Sequence, residues 1–423
     1  MKILHIVHQY APDFVGGTEL YTAKVAAEQV ALGHEVAIYV PTPRQPENGA
    51  VRLEKSIEGG IEVYRAMVGP RSAGKIFAET FYGSSVVSGS FAQLLQVFRP
   101  DVAHVQHLMG VNLNVIHVLR LARVPYVVTL HDYWYGCANA QLLTNYDGTV
   151  CAGPNRLFTN CGRCALARSG RPDRLGAVLG PLFAYRQRLL RTVLAGAKQV
   201  IAPTLWVKRI YEEMGFKTDN FVHIPHGIAL PETLIAEART AAPALRQAQD
   251  ARFVVAYVGG ISEQKGLHTL IAAFNGLPAD ATLTIYGDLS KFPDYADLLR
   301  REIDHRGIQL AGRLPHDQIW QVMATADVVA MPTHWYEASP LTIDEVFAAG
   351  SPLLASDLGA MTEKIRHGVD GWLVPAGDVA AWGAALQMFY EDGGLSGRLR
   401  EEIRPVVTLG EHVAQVMRVY ATD

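Results

Sequence analysis

Two carboxylates, Glu337 and Glu345, stand eight positions apart in the run His334-Trp335-Tyr336-Glu337-Ala338-Ser339-Pro340-Leu341-Thr342-Ile343-Asp344-Glu345-Val346-Phe347-Ala348-Ala349-Gly350. Ser339 is a good N-cap, and Pro340 suits a first helical position, where its missing N–H is not needed. The residues from Leu341 to Ala349 then read as helix until Gly350 ends it. The N–H groups of Leu341, Thr342 and Ile343 would leave that helix start unpaired, a ready seat for an anion such as a diphosphate. Glu337 lies just before the helix and Glu345 in its second turn, so the two acids reach a bound ligand from different sides. An acid pair around a phosphate cradle fits a sugar nucleotide, one carboxylate serving ribose or sugar hydroxyls and the helix start the diphosphate. Taken alone, the stretch fits a capped core helix with two solvated acids equally well.

Two glycine turns could supply further backbone contacts. Asp13-Phe14-Val15-Gly16-Gly17-Thr18-Glu19 follows the first apolar run and precedes a helical pattern that ends near Leu32-Gly33. Gly16 and Gly17 would let backbone approach a donor and present N–H groups to it. Neither a full dinucleotide fingerprint nor a P-loop is present. Gly259-Gly260-Ile261-Ser262-Glu263-Gln264-Lys265-Gly266 has the same placement in the second half, and Lys265 adds a point charge for a phosphate. A solvated lysine beside a turn is the plainer alternative. His131-Asp132 ends another strand pattern, where an imidazole could bond a sugar hydroxyl or move a proton.

All four cysteines, Cys137, Cys151, Cys161 and Cys164, follow His131-Asp132 in one loop-like stretch rich in Gly and Asn. The cluster, with its Cys-x-x-Cys pair, resembles a four-cysteine structural zinc knot that would staple a loop too polar to bury a core. Free thiols, a redox pair and an iron–sulfur cluster remain open at this point.

These residues need elements to position them. Short apolar runs alternate with helical patterns, which predicts βαβ units and parallel sheets. The expected strands are Ile3–His8, Glu35–Val40, Val102–Gln106, Tyr126–Leu130 and Gln199–Ala202 in the first half. In the second they are Phe253–Val258, Leu283–Tyr286, Ile308–Ala311, Val328–Met331 and Pro352–Ala355. Phe-Val-Val-Ala-Tyr-Val is apolar throughout, as a strand covered on both faces requires. Leu230 to Asp250, rich in Ala, Pro and Gln, reads as the connection. The expectation is α/β: two Rossmann-like, doubly wound parallel-sheet domains facing across a cleft, with ligands beyond the carboxyl ends of the strands. Their bounds would be 1–228 and 229–405, with a helix in 406–423 returning to the first domain.

Composition narrows the partners. A net charge of −3 and no basic stripe with interleaved aromatics exclude bulk attraction to nucleic acid. The start, Met1-Lys2-Ile3-Leu4-His5-Ile6-Val7-His8, has no signal-peptide pattern, and no run of about 18 apolar residues appears. A cytoplasmic protein is therefore expected. Between Arg168 and Arg191 lie six arginines (168, 171, 174, 186, 188, 191) and a single acid, Asp173. That run reads either as a solvated helix face or as peripheral contact with an anionic inner membrane face.

Taken together, the pieces become recognisable. Gly16-Gly17, His131-Asp132, Gly259 with Lys265-Gly266, Glu337-x7-Glu345, Ala349-Gly350-Ser351-Pro352 and Gly368-Val369-Asp370-Gly371-Trp372-Leu373-Val374 occur in this order over nearly the whole chain. The chain resembles the retaining, nucleotide-sugar-dependent glycosyltransferases of family 4, which have the GT-B fold. The resemblance implies transfer of a sugar from a nucleoside diphosphate donor to a glycan or lipid-linked acceptor. Glu337 would lie against the donor sugar, Glu345 on the ribose, and Leu341, Thr342 and Lys265 at the diphosphate, with Ser339 close by. Gly16 and Gly17 would also face the donor, His131 would take part in catalysis, and Asp132 would stand on the acceptor side. No metal would be needed for catalysis. Two departures stand out: Gly260 replaces an arginine frequent in such enzymes, and Ala338-Ser339-Pro340 puts proline where glycine is frequent. An epimerase shares the architecture but not the Glu-x7-Glu pattern, and a catalytically silent sugar-nucleotide-binding protein is the third reading.

Overall fold

The structure, a computed structural model, describes residues 1–14, 16–44, 53–171, 173–249 and 251–422. Val15 of the first glycine turn, Asp250 of the expected connection, and the side chains of Asp173 and Arg174 in the arginine run lie outside the described residues. The chain divides into two compact units, Met1–His226 with Leu409–Asp423, and Gly227–Thr408.

The first unit holds an eight-stranded sheet: β1 (Lys2–Ile6), β2 (Glu35–Thr42), β3 (Leu53–Glu58), β4 (Ile61–Met67), β5 (Val102–Val105), β6 (Tyr126–Thr129), β7 (Gln199–Ala202) and β8 (Phe221–His223), in the order β3-β4-β2-β1-β5-β6-β7-β8. All pairs are parallel except β3 with β4. That hairpin was not foreseen. Its turn, Gly59-Gly60, has both residues at positive φ, the backbone a tight hairpin needs. Its outer strand, Leu-Glu-Lys-Ser-Ile-Glu, is too polar to read as buried, which is how an edge strand is kept from pairing further.

The helix Leu409–Ala421 packs on this sheet. Val416, Val419 and Tyr420 join Ile3, Val102, Val127 and Ile201, while Val413 sits with Tyr21 and Val25. The 413, 416, 420 spacing puts these residues on one helical face, and burying each is worth about 1.5–3 kcal/mol.

The second unit holds β9 (Phe253–Val258), β10 (Ala281–Tyr286), β11 (Ile308–Gly312), β12 (Val328–Met331), β13 (Leu353–Ser356) and β14 (Gly371–Val374), ordered β11-β10-β9-β12-β13-β14 and parallel throughout. This is the doubly wound dinucleotide-fold order, with its reversal between β9 and β12. Among the described residues no helix is long and apolar enough to cross a membrane.

One expected feature is corrected. Most of Leu230 to Asp250 is not a connection but the helix Glu232–Ala248, belonging to the second unit. Its small residues mislead: Ile235, Ala238 and Ala242 repeat at helical spacing and pack among Trp320, Met323 and Val346. Alanine lets the helices approach closely, so low bulk here marks tight packing.

Candidate functional site

In the second unit the strand order reverses between β9 and β12, and the segments leaving those two strands carry the predicted residues. They are tied together by backbone. His334 N–H donates to Gln264 O at 2.8 Å, and the Thr333 hydroxyl to the same oxygen at 3.2 Å. Gly266 permits this approach: its φ is +69°, and a Cβ there would stand 1.9 Å from Pro332 O. Glycine is required on both counts.

That tie sets Lys265 against Glu337. The ammonium donates to Glu337 Oε1 at 2.5 Å, and Trp335 Nε1–H donates to the same oxygen at 2.8 Å. The Glu337 side chain is 12 % exposed and that of Lys265 28 %, so their attraction is less screened than on an open surface. Tyr257 lies close by. Its hydroxyl donates to Gly260 O at 2.6 Å, and burial, with the Glu337 charge second, keeps it protonated.

Helix Leu341–Ala349 begins four residues past Glu337 and ends at Gly350, which is left-handed at φ +82°. Two details of its start differ from expectation. Ser339 is not the N-cap: Pro340 is, with extended backbone, and makes no side-chain cap. The serine therefore sits one residue too early to reach the helix N–H groups. Its Oγ is buried without a hydrogen-bond partner among the described residues. Ile343 N–H is also taken, donating to Pro340 O at 3.3 Å. Leu341 and Thr342 remain in the first turn, where N–H groups have no acceptor within the helix.

Glu345 is half-buried in the second turn. Beside it, Asp344 pairs with the Lys364 ammonium, which also reaches Pro340 O at 3.4 Å. Burial raises the Asp344 carboxyl above its usual value despite that cation. This second lysine, which reaches the loop before the helix from the later turn Met361–Lys364, was missed; nothing in its sequence context signals it.

In the first unit the order reverses between β1 and β5, and His8 and His107 leave those strands with rings 4.3 Å apart. His107 Nε2 bonds Asp132 Oδ2 at 3.1 Å, and Trp134 N–H donates to Asp132 Oδ1 at 2.8 Å. Burial opposes the Asp132 charge, but His107, this N–H and His8 outweigh it and hold the carboxyl below its usual value. His131 Nε2 bonds Gln106 Oε1 at 2.8 Å, and its ring stacks 5.3 Å from His226 and meets Tyr21 edge-on at 4.8 Å. Burial pushes His131 down to about 3, with His107 second, so the imidazole is neutral near pH 7. Of this cluster only His131 was singled out from sequence; His8 and His107 were not, since the strands they follow read only as apolar.

The first glycine turn also differs from expectation. Gly16 is the N-cap of helix Gly17–Ala31, and Glu19, three residues on, turns its buried carboxylate back to the Gly16 N–H, as in a capping box. The chain's own carboxylate thus already occupies part of the anion seat. Gly17 stands in open space.

The four cysteines are free thiols, each partly buried. Asn145 donates to Cys164 Sγ from N–H at 3.3 Å and from Nδ2 at 3.2 Å, and Gly153 N–H donates to Cys151 Sγ at 3.4 Å. Burial pushes the Cys161 thiol up to about 12, with Cys137, Cys151 and Cys164 adding to the shift, so all four lie within electrostatic reach. Among the described residues no three His, Cys, Asp or Glu side chains are placed to hold a metal ion. Cys164 is thus held by Asn145 from elsewhere in the loop, and Cys151 by the turn that follows it.

The arginine run is not simply a solvated face. Arg186 is buried, donating to Trp134 O at 2.6 Å with its guanidinium 4.7 Å from that indole. Arg191 donates to Met214 O at 2.8 Å, and Arg168 to Asn139 Oδ1 at 3.0 Å. Arg171 and Arg188 are exposed, near the exposed Leu175, Val178 and Tyr185 in sequence.

Two doubly wound parallel-sheet units, one with a lysine–carboxylate pair and a helix start at its strand reversal, define a two-domain α/β protein. Residues 16–227 match the family described as "Glycosyl transferase 4-like domain", and residues 252–392 match "Glycosyl transferases group 1". The chain belongs to the family 4 type of glycosyltransferases, with the GT-B fold. The glycogen synthase of Mycobacterium tuberculosis is 24 % identical over 419 residues, spanning 96 % of this chain and 90 % of that protein. Sucrose-phosphate synthase from Thermosynechococcus elongatus shares the fold at TM-score 0.71 and 19 % identity, covering 99 % of this chain and 98 % of that one. Anabaena HepE, solved in complex with UDP and glucose, does so at TM-score 0.64 and 20 % identity, covering 99 % of both chains.

Proposed function

We propose that this glycosyltransferase moves a sugar from a nucleoside diphosphate sugar to a glycan or lipid-linked acceptor, with retention of anomeric configuration and without a catalytic metal. The observation that carries the proposal is the Lys265–Glu337 ion pair just before the start of helix Leu341–Ala349. In this reading the donor diphosphate takes the Leu341 and Thr342 N–H groups, and Lys265 leaves Glu337 for the phosphate. Donor binding exchanges one ion pair for another and frees Glu337 to face the sugar. Glu345 accepts from the ribose hydroxyls, and the unpartnered Ser339 oxygen is available to the same ligand. Charge developing on the departing diphosphate is then stabilised by fixed dipoles and one ammonium, groups that need little reorganisation as the bond breaks.

His131 and Asp132 serve the acceptor side of the first unit in this reading. The neutral His131 and the ionised Asp132 act there as hydrogen-bond partners for hydroxyl groups. A lipid-linked acceptor would bring the protein to the inner face of a membrane, with the exposed Arg171, Arg188, Leu175, Val178 and Tyr185 as the contact.

The test is incubation of the purified chain with a panel of nucleoside diphosphate sugars and candidate acceptors, with and without EDTA. Transfer that survives EDTA and keeps the donor's anomeric configuration is expected. Inverted product or an absolute need for added Mg²⁺ or Mn²⁺ would overturn the mechanism. Epimerised donor, or tight binding with neither transfer nor hydrolysis, would overturn the activity.

A further inference from the structure

Two ion pairs flank the start of helix Leu341–Ala349, and they are built differently. Lys265 has the Glu337 carboxylate as its acceptor and the more exposed side chain of its pair, so it can exchange that partner for a ligand. Lys364 is closed in. Its side chain and that of Asp344 are each 14 % exposed, and its ammonium reaches Pro340 O at 3.4 Å as well as the Asp344 carboxylate. Backbone packing holds it there. Ala360 and Met361 before it and Ile365 after it are buried. Gly359, at φ +63°, sets the same turn against the loop that enters the helix, where a Cβ would stand 3.4 Å from Tyr336 Cα and 3.5 Å from Glu337 O.

Asp344 lies in the first turn of the helix. A carboxylate there suits the helix itself, because it faces the positive end of the backbone dipole. It opposes any second anion at that end, since like charges repel more strongly where water is scarce. Left uncompensated, Asp344 would work against a diphosphate on the Leu341 and Thr342 N–H groups. Lys364 cancels its charge from within the protein, and having two acceptors of its own it stays in place while Lys265 moves.

We infer that the Asp344–Lys364 pair sets the affinity of this helix start for a nucleoside diphosphate: Lys364 removes the repulsion of Asp344, and Asp344 keeps Lys364 from adding attraction. Both are positioning residues, acting through the field at the helix start and touching no reacting atom. The inference rests on the donor reading proposed above and deepens it. It has a consequence that a purely structural ion pair lacks. Two charges that cancel must have opposite effects when removed one at a time, whereas a structural brace is damaged by either loss.

The experiment is calorimetric titration of the full chain at pH 8, above the carboxylate range, with ADP, GDP and UDP, and with the nucleoside of whichever diphosphate binds best. Lys364→Met keeps the aliphatic stem and should weaken diphosphate binding by about three- to tenfold, the worth of one charge at a helix start. Asp344→Asn keeps the side-chain shape and should tighten it by a similar factor. The double variant Asp344→Asn/Lys364→Met should return to within about twofold of wild type, because the two effects cancel. Nucleoside affinity should be unchanged in all three. Weaker or unchanged diphosphate binding in Asp344→Asn overturns the inference, as does an equal loss for nucleoside and diphosphate in Lys364→Met. Should Lys364→Met fail to fold, Asp344→Asn and the double variant decide the matter. A wild-type chain that binds none of the three diphosphates overturns the donor reading and this inference with it, while tight diphosphate binding without the opposite signs overturns this inference alone.

Discussion

Lowering the pH from 7.5 to 5.0 should loosen the first unit well before its carboxylates titrate. His5 and His412 are fully buried and held neutral, each pushed down to about 4 from an ordinary value of 6.5. For a base whose folded value lies below its unfolded one, the stability is fully present above about 6.5. It is lost as the pH falls toward the folded value, because only the unfolded chain takes up the proton. Each such histidine removes about 1.4 kcal/mol per pH unit below 6.5, so roughly 2 kcal/mol at pH 5. Two of them give about 4 kcal/mol, against a total stability of about 5–15 kcal/mol for a typical domain. His131, half-buried, adds a smaller share, and burial lowers His8 and His104 in the same direction. Asp132 is held below its usual value and stays ionised through this window. Thermal unfolding followed by near-UV circular dichroism should show the midpoint falling by about 8–16 °C, at about 2–4 °C per kcal/mol for a unit of this size. His412→Gln should lower the starting stability but flatten the pH slope by about 1.4 kcal/mol per unit. A midpoint constant between pH 7.5 and 5.0 would refute the reasoning.

Further outcomes are open to measurement. Glu345→Ala should weaken donor binding by about 1.5–3 kcal/mol, the worth of a charged hydrogen bond, as read by titration calorimetry; unchanged affinity removes the ribose assignment. Gly260→Arg should fold normally, since a Cβ at this position meets nothing within 4 Å and its φ is not left-handed, and should tighten binding of a nucleoside diphosphate by adding a second cation. Weaker or equal binding would show that the turn does not face the diphosphate. The four thiols are expected to draw together on one zinc ion, giving about one zinc per chain by elemental analysis. Metal-free protein with four titratable thiols would leave the loop an ordinary insertion.

What could be read in advance followed periodicity. Continuous apolar runs such as Phe253–Val258 and Val328–Met331 marked the central strands, because a sheet covered on both faces admits little else. The edge hairpin β3–β4 escaped because its outer strand is polar, and helix Glu232–Ala248 escaped because alanine serves linkers and tight interfaces alike. In the second unit, Glu337 and Lys265 were visible as residue types beside turns. Their pairing depends on Gly266 bringing the loop against Pro332, which spacing alone does not reveal. Ser339 was misplaced by one residue because proline serves as either N-cap or first helical residue, and only its ψ of 113° decides. The buried His5 and His104 were invisible, because a buried polar residue in an apolar strand carries no sign of its partner.

The central claim is that Glu337 faces the donor sugar while Lys265 and the helix start hold the diphosphate. The most direct measurement is the transfer rate of Glu337→Gln at saturating donor, with nucleoside diphosphate affinity determined on the same preparation. Turnover should fall by roughly tenfold or more, while affinity holds or improves, because Lys265 no longer has to leave an ionised partner to reach the phosphate. Wild-type turnover in Glu337→Gln, or loss of nucleoside diphosphate binding with turnover preserved, would contradict the account.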